Sequence, residues 1–205
     1  MSGQKLKSCT AFKGNQRVAS GNLLEVIRKV KLIIDQDEHA SILIFDDETS
    51  ELVEVDFRGT IEDVQKRLGE AIAGEQSAKA SPGSDQRLKR GPGRPKLGVV
   101  PREVTLLPRH WDWLNSQPGG ASVALRKLVE EARRVNSAKD RVRHSQEVAY
   151  KFMSAMAGDF PGFEEAIRAL FAGDDQNFKK LVASWPIDIQ GHARKLAEGS
   201  FQNQV

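Results

Sequence analysis

The sequence predicts an α+β fold: a small N-terminal domain of two strand-strand-helix units, a flexible basic linker, and a mostly helical C-terminal part with a short strand. Three observations predict it. Up to residue 57 the apolar residues alternate in short runs, from residue 122 onward they recur at helical spacing, and between these regions lies a polar tract that cannot build a core. The expected divisions are an α+β domain over 9–74, a linker over 75–100, a strand-helix-helix unit over 101–136 and a helical region over 137–198.

Within the first division, Thr10 to Lys13 and Arg17 to Ser20 flank the turn-forming pair Gly14-Asn15, which predicts a hairpin. A helix is expected from Leu23 to Ile34. The arrangement then recurs: Ser41 to Phe45 and Leu52 to Phe57 predict a second hairpin over Asp46-Asp47-Glu48-Thr49-Ser50, followed by a helix from Ile61 to Ile72. Asn22 and Thr60 each stand at a helix start with an acid three positions later, 38 residues apart. That interval reads either as an internal repeat or as two independent capping signals.

From Gly74 to Leu88 the composition turns to Gln, Ser, Ala, Pro and Gly, as in a disordered tether. It runs into Arg90-Gly91-Pro92-Gly93-Arg94-Pro95-Lys96. Glycine lets a backbone approach closely, proline holds it extended, and the cations suit the narrow, negative minor groove of A·T-rich duplex. Gly93-Arg94-Pro95 followed by Lys96 resembles an AT-hook, with Pro92 where that motif usually carries a second core arginine. Charge is concentrated here. Residues 87–109 hold seven cations (Arg87, Lys89, Arg90, Arg94, Lys96, Arg102 and Arg109) against Glu103 alone, whereas 1–74 hold 10 Lys+Arg against 13 Asp+Glu and 143–205 hold 7 against 8.

Apolar patterning returns with an extended Val104-Thr105-Leu106-Leu107, a short helix opened by Pro108, a Gln117-Pro118-Gly119-Gly120 break and a second helix from Ser122. Leu125, Leu128, Val129, Ala132 and Val135 share one face of it, and Arg126, Lys127, Arg133 and Arg134 lie elsewhere. Strand, helix, glycine turn and serine-capped helix is the order of ribbon-helix-helix proteins, which this stretch resembles over about 35 residues. The resemblance implies a homodimer that pairs its strands and lays them in the major groove, with Thr105 among the readers. The groove-facing set is Glu103, Thr105 and Leu107 in one phase and Arg102, Val104 and Leu106 in the other, and neither is a row of polar readers. Helix-turn-helix or plain helix packing are the alternatives. After Lys139, stripes at Val148, Phe152, Met153 and Met156, at Phe163, Ile167, Leu170 and Phe171, and at Phe178, Leu181, Val182 and Trp185 predict core helices.

With 39% apolar residues the chain is not wholly disordered, and it shows neither a leader nor a membrane span, so a cytoplasmic protein is expected, nucleoid-associated when bound to DNA. The lone Cys9 reads as a small buried hydrophobe rather than a nucleophile. His39, His110, His144 and His192 lack metal-ligand spacing, and no phosphate loop or nucleophile elbow is present. Asp46-Asp47-Glu48 offers carboxylates for Mg²⁺, but a charged hairpin turn accounts for it more simply. Arg109-His110-Trp111 either stacks on a base or anchors a core. No enzyme activity, metal or cofactor is therefore expected.

The segments RGPGRPKLGVVPREVTLLPRHWDWLNSQPGGASVALRKLVEEAR and YKFMSAMAGDFPGFEEAIRALFAGDD resemble a bacterial protein family whose function is not established. That resemblance runs from about Cys9 to Ala197 and implies no catalytic residue or ligand. The residues themselves point to a DNA-associated regulatory or nucleoid-type protein that binds A·T-rich double-stranded DNA, with Arg87, Lys89, Arg90, Gly93, Arg94, Pro95, Lys96, Arg102, Thr105 and Arg109 as its contacts. The alternative is an adaptor whose N-terminal domain binds a protein or small ligand and whose basic segment is only a tether.

Overall fold

A computed structural model describes residues 7–37, 39–79 and 102–201. Its centre is a three-stranded antiparallel sheet of β1 (Ser8–Lys13), β2 (Gln16–Asn22) and β3 (Ile42–Asp46) in the order β2-β1-β3. The β1–β2 hairpin closes over Gly14-Asn15, and Gly14 adopts φ 56°, a left-handed conformation that costs glycine little. Between Ala11 and Phe12 the register shifts, so that Ala11 faces Ala19 while Phe12 faces Arg17. The extra residue, Val18, bulges from β2 and increases its twist.

Helix α1 (Leu23–Gln36) follows β2 without a loop, because Asn22 caps it by accepting from the Glu25 backbone N–H at 3.0 Å. Its Leu23, Val26, Ile27 and Val30 bury against one face of the sheet, where Cys9, Ala11, Ala19 and Ile44 point. Helix α2 (Ile61–Lys79) starts at the predicted position and adds Val64 to the same cluster. It extends past residue 75, where the linker was expected to begin.

The predicted strand over Leu52 to Phe57 does not form. Only an isolated bridge joins Leu52 to Phe45, and Val53 donates to the Ile44 carbonyl at 2.8 Å before the chain leaves the sheet. Val53, Val55 and Phe57 still pack inward, so the alternation was a true burial signal without a ladder. An arginine takes the place of the missing strand partner: the Arg67 guanidinium donates to the carbonyls of Asp56, at 3.0 Å, and Arg58. Arg58 in turn grips the Asp56 carboxylate with two hydrogen bonds, which holds that acid well below its ordinary range. The two expected units are thus one sheet, and the 38-residue interval reflects recurring capping signals.

The other sheet face carries Phe12 and Phe45, and C-terminal helices cover it. These are α4 (Gly120–Met156), α5 (Phe163–Ala172), α6 (Asp175–Leu181) and α7 (Ile187–Ala197). One cluster joins Phe12 and Phe45 to Phe152 and Met153 of α4, Leu170 of α5, Phe178 of α6 and Ile189 and Ala193 of α7. Residues up to 75 and from 138 onward accordingly form a single compact unit, not the separate 9–74 and 137–198 regions expected. The reason is the sheet: strands apolar on both sides need a layer on each. Residues 76–137 form a second unit, and the boundary anticipated at 136 lies inside the unbroken α4.

Among the described residues no helix is long and apolar enough to cross a membrane.

His192 of α7 sits inside the aromatic cluster, 2% exposed, with its ring 4.5 Å from Phe152 and 5.4 Å from Phe12, and its Nε2 has no hydrogen-bond partner. Burial pushes its pKa down to about 4, against the pull of the Asp47 carboxylate and with help from Lys195 and Arg17. The unfolded chain therefore binds the proton more readily. Stability is full above pH 6.5 and declines as pH falls towards 4, by on the order of 2–3 kcal/mol. Urea midpoints measured between pH 7 and pH 4 should show this decline, and His192→Phe, which keeps the ring packing, should flatten it.

Candidate nucleic-acid interface

The second unit holds the described part of the predicted interface. Residues 102–107 carry no regular secondary structure, and the strand expected at Val104-Leu107 has no ladder partner among the described residues. Helix α3 (Pro108–Ser116) begins with proline at its first turn, where a missing N–H costs nothing. Its one buried side chain is Leu114; Trp111 is half-buried and Trp113 is exposed. The break to α4 uses Gly119 and Gly120 at φ 87° and 73°, and a Cβ on Gly119 would press against the Val123 side chain at 3.2 Å.

Of the ten predicted DNA contacts, Arg87, Lys89, Arg90, Gly93, Arg94, Pro95 and Lys96 lie outside the described residues. Arg102, Thr105 and Arg109 are exposed, and their side chains make no hydrogen bond or ion pair with any described residue. With no ladder, neither phase of 102–107 is turned inward: Arg102, Glu103, Val104, Thr105 and Leu107 are all exposed, and Leu106 is half-buried.

Every residue of α4 from Arg126 to Ser137 is exposed. Its apolar stripe is uncovered: Leu128 is 44% exposed, Val129 56% and Val135 66%. Further along the same helix Val148, Ala149, Phe152 and Met153 are buried in the core of the first unit. One helix thus carries two apolar stripes with different fates.

The two units also divide the charge. Residues 76–137 contain 12 Lys+Arg against 5 Asp+Glu, and the remainder of the chain contains 19 against 23. The compact unit is acidic while the second unit is strongly basic, so the small net charge of the whole chain conceals a division of charge between its parts.

Other chemistry raised by the sequence is accounted for in the first unit. Asp46 folds its own turn, accepting from the backbone N–H groups of Glu48 at 2.8 Å and Thr49 at 3.2 Å. Asp47 accepts from Thr10 at 2.7 Å, Ser8 at 2.9 Å and Lys195 at 3.2 Å. Its burial raises the pKa, yet those three donors outweigh burial and leave it lowered. The acidic run is therefore a structural corner tying β1 to α7, and no cluster of three metal-ligating residues occurs among the described residues. Sequence reasoning missed this network, because Asp47 and Lys195 are 148 positions apart. A cleft of about 480 Å³ beside α6 and α7 is lined by Lys179, Arg194 and Lys195, each already engaged, with Asp175, the Lys179 carbonyl and Asp47 respectively.

The sequence matches, over residues 8–197, a family described as an uncharacterized protein conserved in bacteria. No curated protein and no solved structure matches it.

Cys9 is fully buried on β1, and burial, with Asp46 and Asp47 nearby, raises its thiol pKa to about 11. A thiolate is then scarce at neutral pH. Iodoacetamide at pH 8 should label the native protein only as fast as it opens, with labelling accelerating across the urea transition; rapid native labelling would mark Cys9 as accessible and reactive.

Proposed function

Because the chain belongs to this bacterial family, and the family brings no activity with it, we propose from the residues themselves that it is a DNA-associated regulatory or nucleoid-type protein. The observation that carries this reading is the run from Arg87 to Arg109, seven cations against one acid, within a unit that is itself strongly basic while the rest of the chain is acidic. Affinity arises mainly from phosphate neutralisation, and Arg94, between Gly93 and Pro95, supplies the preference for A·T-rich minor groove. Arg102 and Arg109 are exposed and free of acidic partners among the described residues, as phosphate contacts need to be.

If most of the seven cations meet phosphates, they contribute roughly −4 to −6 to the slope of log K for duplex binding against log salt. Arg94→Ala should remove most of the preference for A·T-rich over G·C-rich duplex, whereas Lys96→Ala should weaken both alike. A slope near zero would return the basic segment to the role of tether, and with it the adaptor reading.

The same unit is proposed to self-associate. About 35 residues with Leu114 and Ala124 as their buried apolar side chains do not make a stable core, and Val104, Leu107, Trp113, Leu128, Val129 and Val135 remain about half or more exposed. A second copy covers such a face and presents two basic segments to one duplex, raising apparent affinity. Sedimentation at tens of micromolar should find a dimer, and Thr105→Pro, which removes a backbone donor from 102–107, should split a strand-paired one. A wild-type monomer at that concentration overturns this part of the proposal.

A further inference from the structure

We propose that the outer side of α4, formed by Arg126, Lys127, Arg133 and Arg134, is a second phosphate-binding surface for duplex DNA, separate from the basic segment before residue 102. It rests on the DNA-binding reading and deepens it.

The geometry of one helix carries it. Successive residues turn by about 100°, so Arg126 and Arg133, and likewise Lys127 and Arg134, return to nearly the same side after two turns, about 10.5 Å further along the axis. The four cations centre on a side roughly 165° from the stripe of Leu125, Leu128, Val129, Ala132 and Val135. A duplex on the basic side therefore leaves the apolar side free for a second copy of the chain. A helix that lies on an anionic lipid surface also carries Lys and Arg on its polar face, so anionic vesicles are the contrasting ligand. The spacing between the two cation pairs is on the scale of the ~12 Å major groove, whose edges are lined by phosphates.

The pairing state of these side chains agrees. Lys127 and Arg134 form no ion pair with a described residue. Arg126 donates through Nε to the Ser122 carbonyl at 3.1 Å, which orients it and leaves the rest of its guanidinium open. Glu130 lies at the centre of that side, four cations against one acid, and Arg133 alone closes on it, at 3.2 Å, with both partners about three-quarters exposed. A pair in that much water contributes little and yields readily to a phosphate. Arg126 to Ser137 are exposed throughout, so the side is accessible over its length.

The test uses the full chain on mixed-sequence duplex across a salt series. Arg126→Gln/Arg134→Gln should reduce the salt slope by about 2, since each lost phosphate contact removes about 0.9. Arg168→Gln/Lys180→Gln, the same charge loss on α5 and α6, should leave the slope unchanged. Glu130→Gln should act in the opposite direction, tightening binding by freeing Arg133 and removing repulsion. Far-ultraviolet circular dichroism monitors α4 in each variant, and Glu130→Gln decides the matter if the double variant loses helix. An unchanged slope in the double variant with a wild type that binds overturns this surface and leaves the linker reading intact. A wild type that fails to bind duplex, or that binds anionic phosphatidylserine vesicles instead, overturns both.

Discussion

The structure depends on a sheet that is apolar on both faces. Phe12 of β1, Phe45 of β3, Phe152 of α4 and His192 of α7 meet ring to ring, with centroids 4.5–6.2 Å apart, and this contact joins residues from the two ends of the chain. Edge-to-face pairs of this kind add about 0.5–1.5 kcal/mol each beyond the area they bury. More consequential is what they dictate. Because Cys9, Ala11 and Ile44 fill one side while Phe12 and Phe45 fill the other, α1 and α2 alone cannot complete the domain. The C-terminal helices supply the missing layer, and the middle of the sequence is left as a separate unit.

That connectivity explains the charge distribution. The two chain ends make an acidic body in which several carboxylates hold structure: Asp46 and Asp47 fold a turn and pin it to β1 and α7, Asp56 anchors Arg58, and Asp188 accepts from the Arg17 backbone N–H at 2.9 Å. Among the described basic residues of the second unit, Arg102, Arg109, Lys127 and Arg134 form no ion pair with a described residue. A cation without a structural partner remains available to a polyanion, which is why function is sought in that unit and not in the larger core.

Helix α4 expresses the same division within one element. Its C-terminal part is held in the core of the first unit, and its Arg126 to Ser137 stretch is exposed throughout. An isolated helix of that length is marginal in water, but one that continues from an anchored segment avoids the cost of nucleation. Within the second unit this helix carries a basic side and an apolar side, the pair of faces on which the proposed duplex and second-copy contacts rest.

Local signals were legible in the sequence because they depend on near neighbours. The Gly14-Asn15 hairpin, the Asn22 and Thr60 helix starts, the Pro108 entry to α3 and the apolar stripes at Phe152, Leu170 and Phe178 all arise from turn chemistry, capping or helical period. The basic character of the middle segment was equally plain, and so was the family resemblance. Three matters were decided only in three dimensions. Leu52 to Phe57 alternates like a strand but is not one, because Arg67, ten positions beyond its end, satisfies carbonyls that a ladder would need. The N- and C-terminal regions share one core because period-2 burial reveals two apolar faces without saying what covers them. Asp47 and His192 acquired their environments from partners 37 and 148 residues away for the first, and from the rings of Phe12 and Phe152 for the second. Contacts across such distances follow from packing, and packing is a property of the folded chain as a whole.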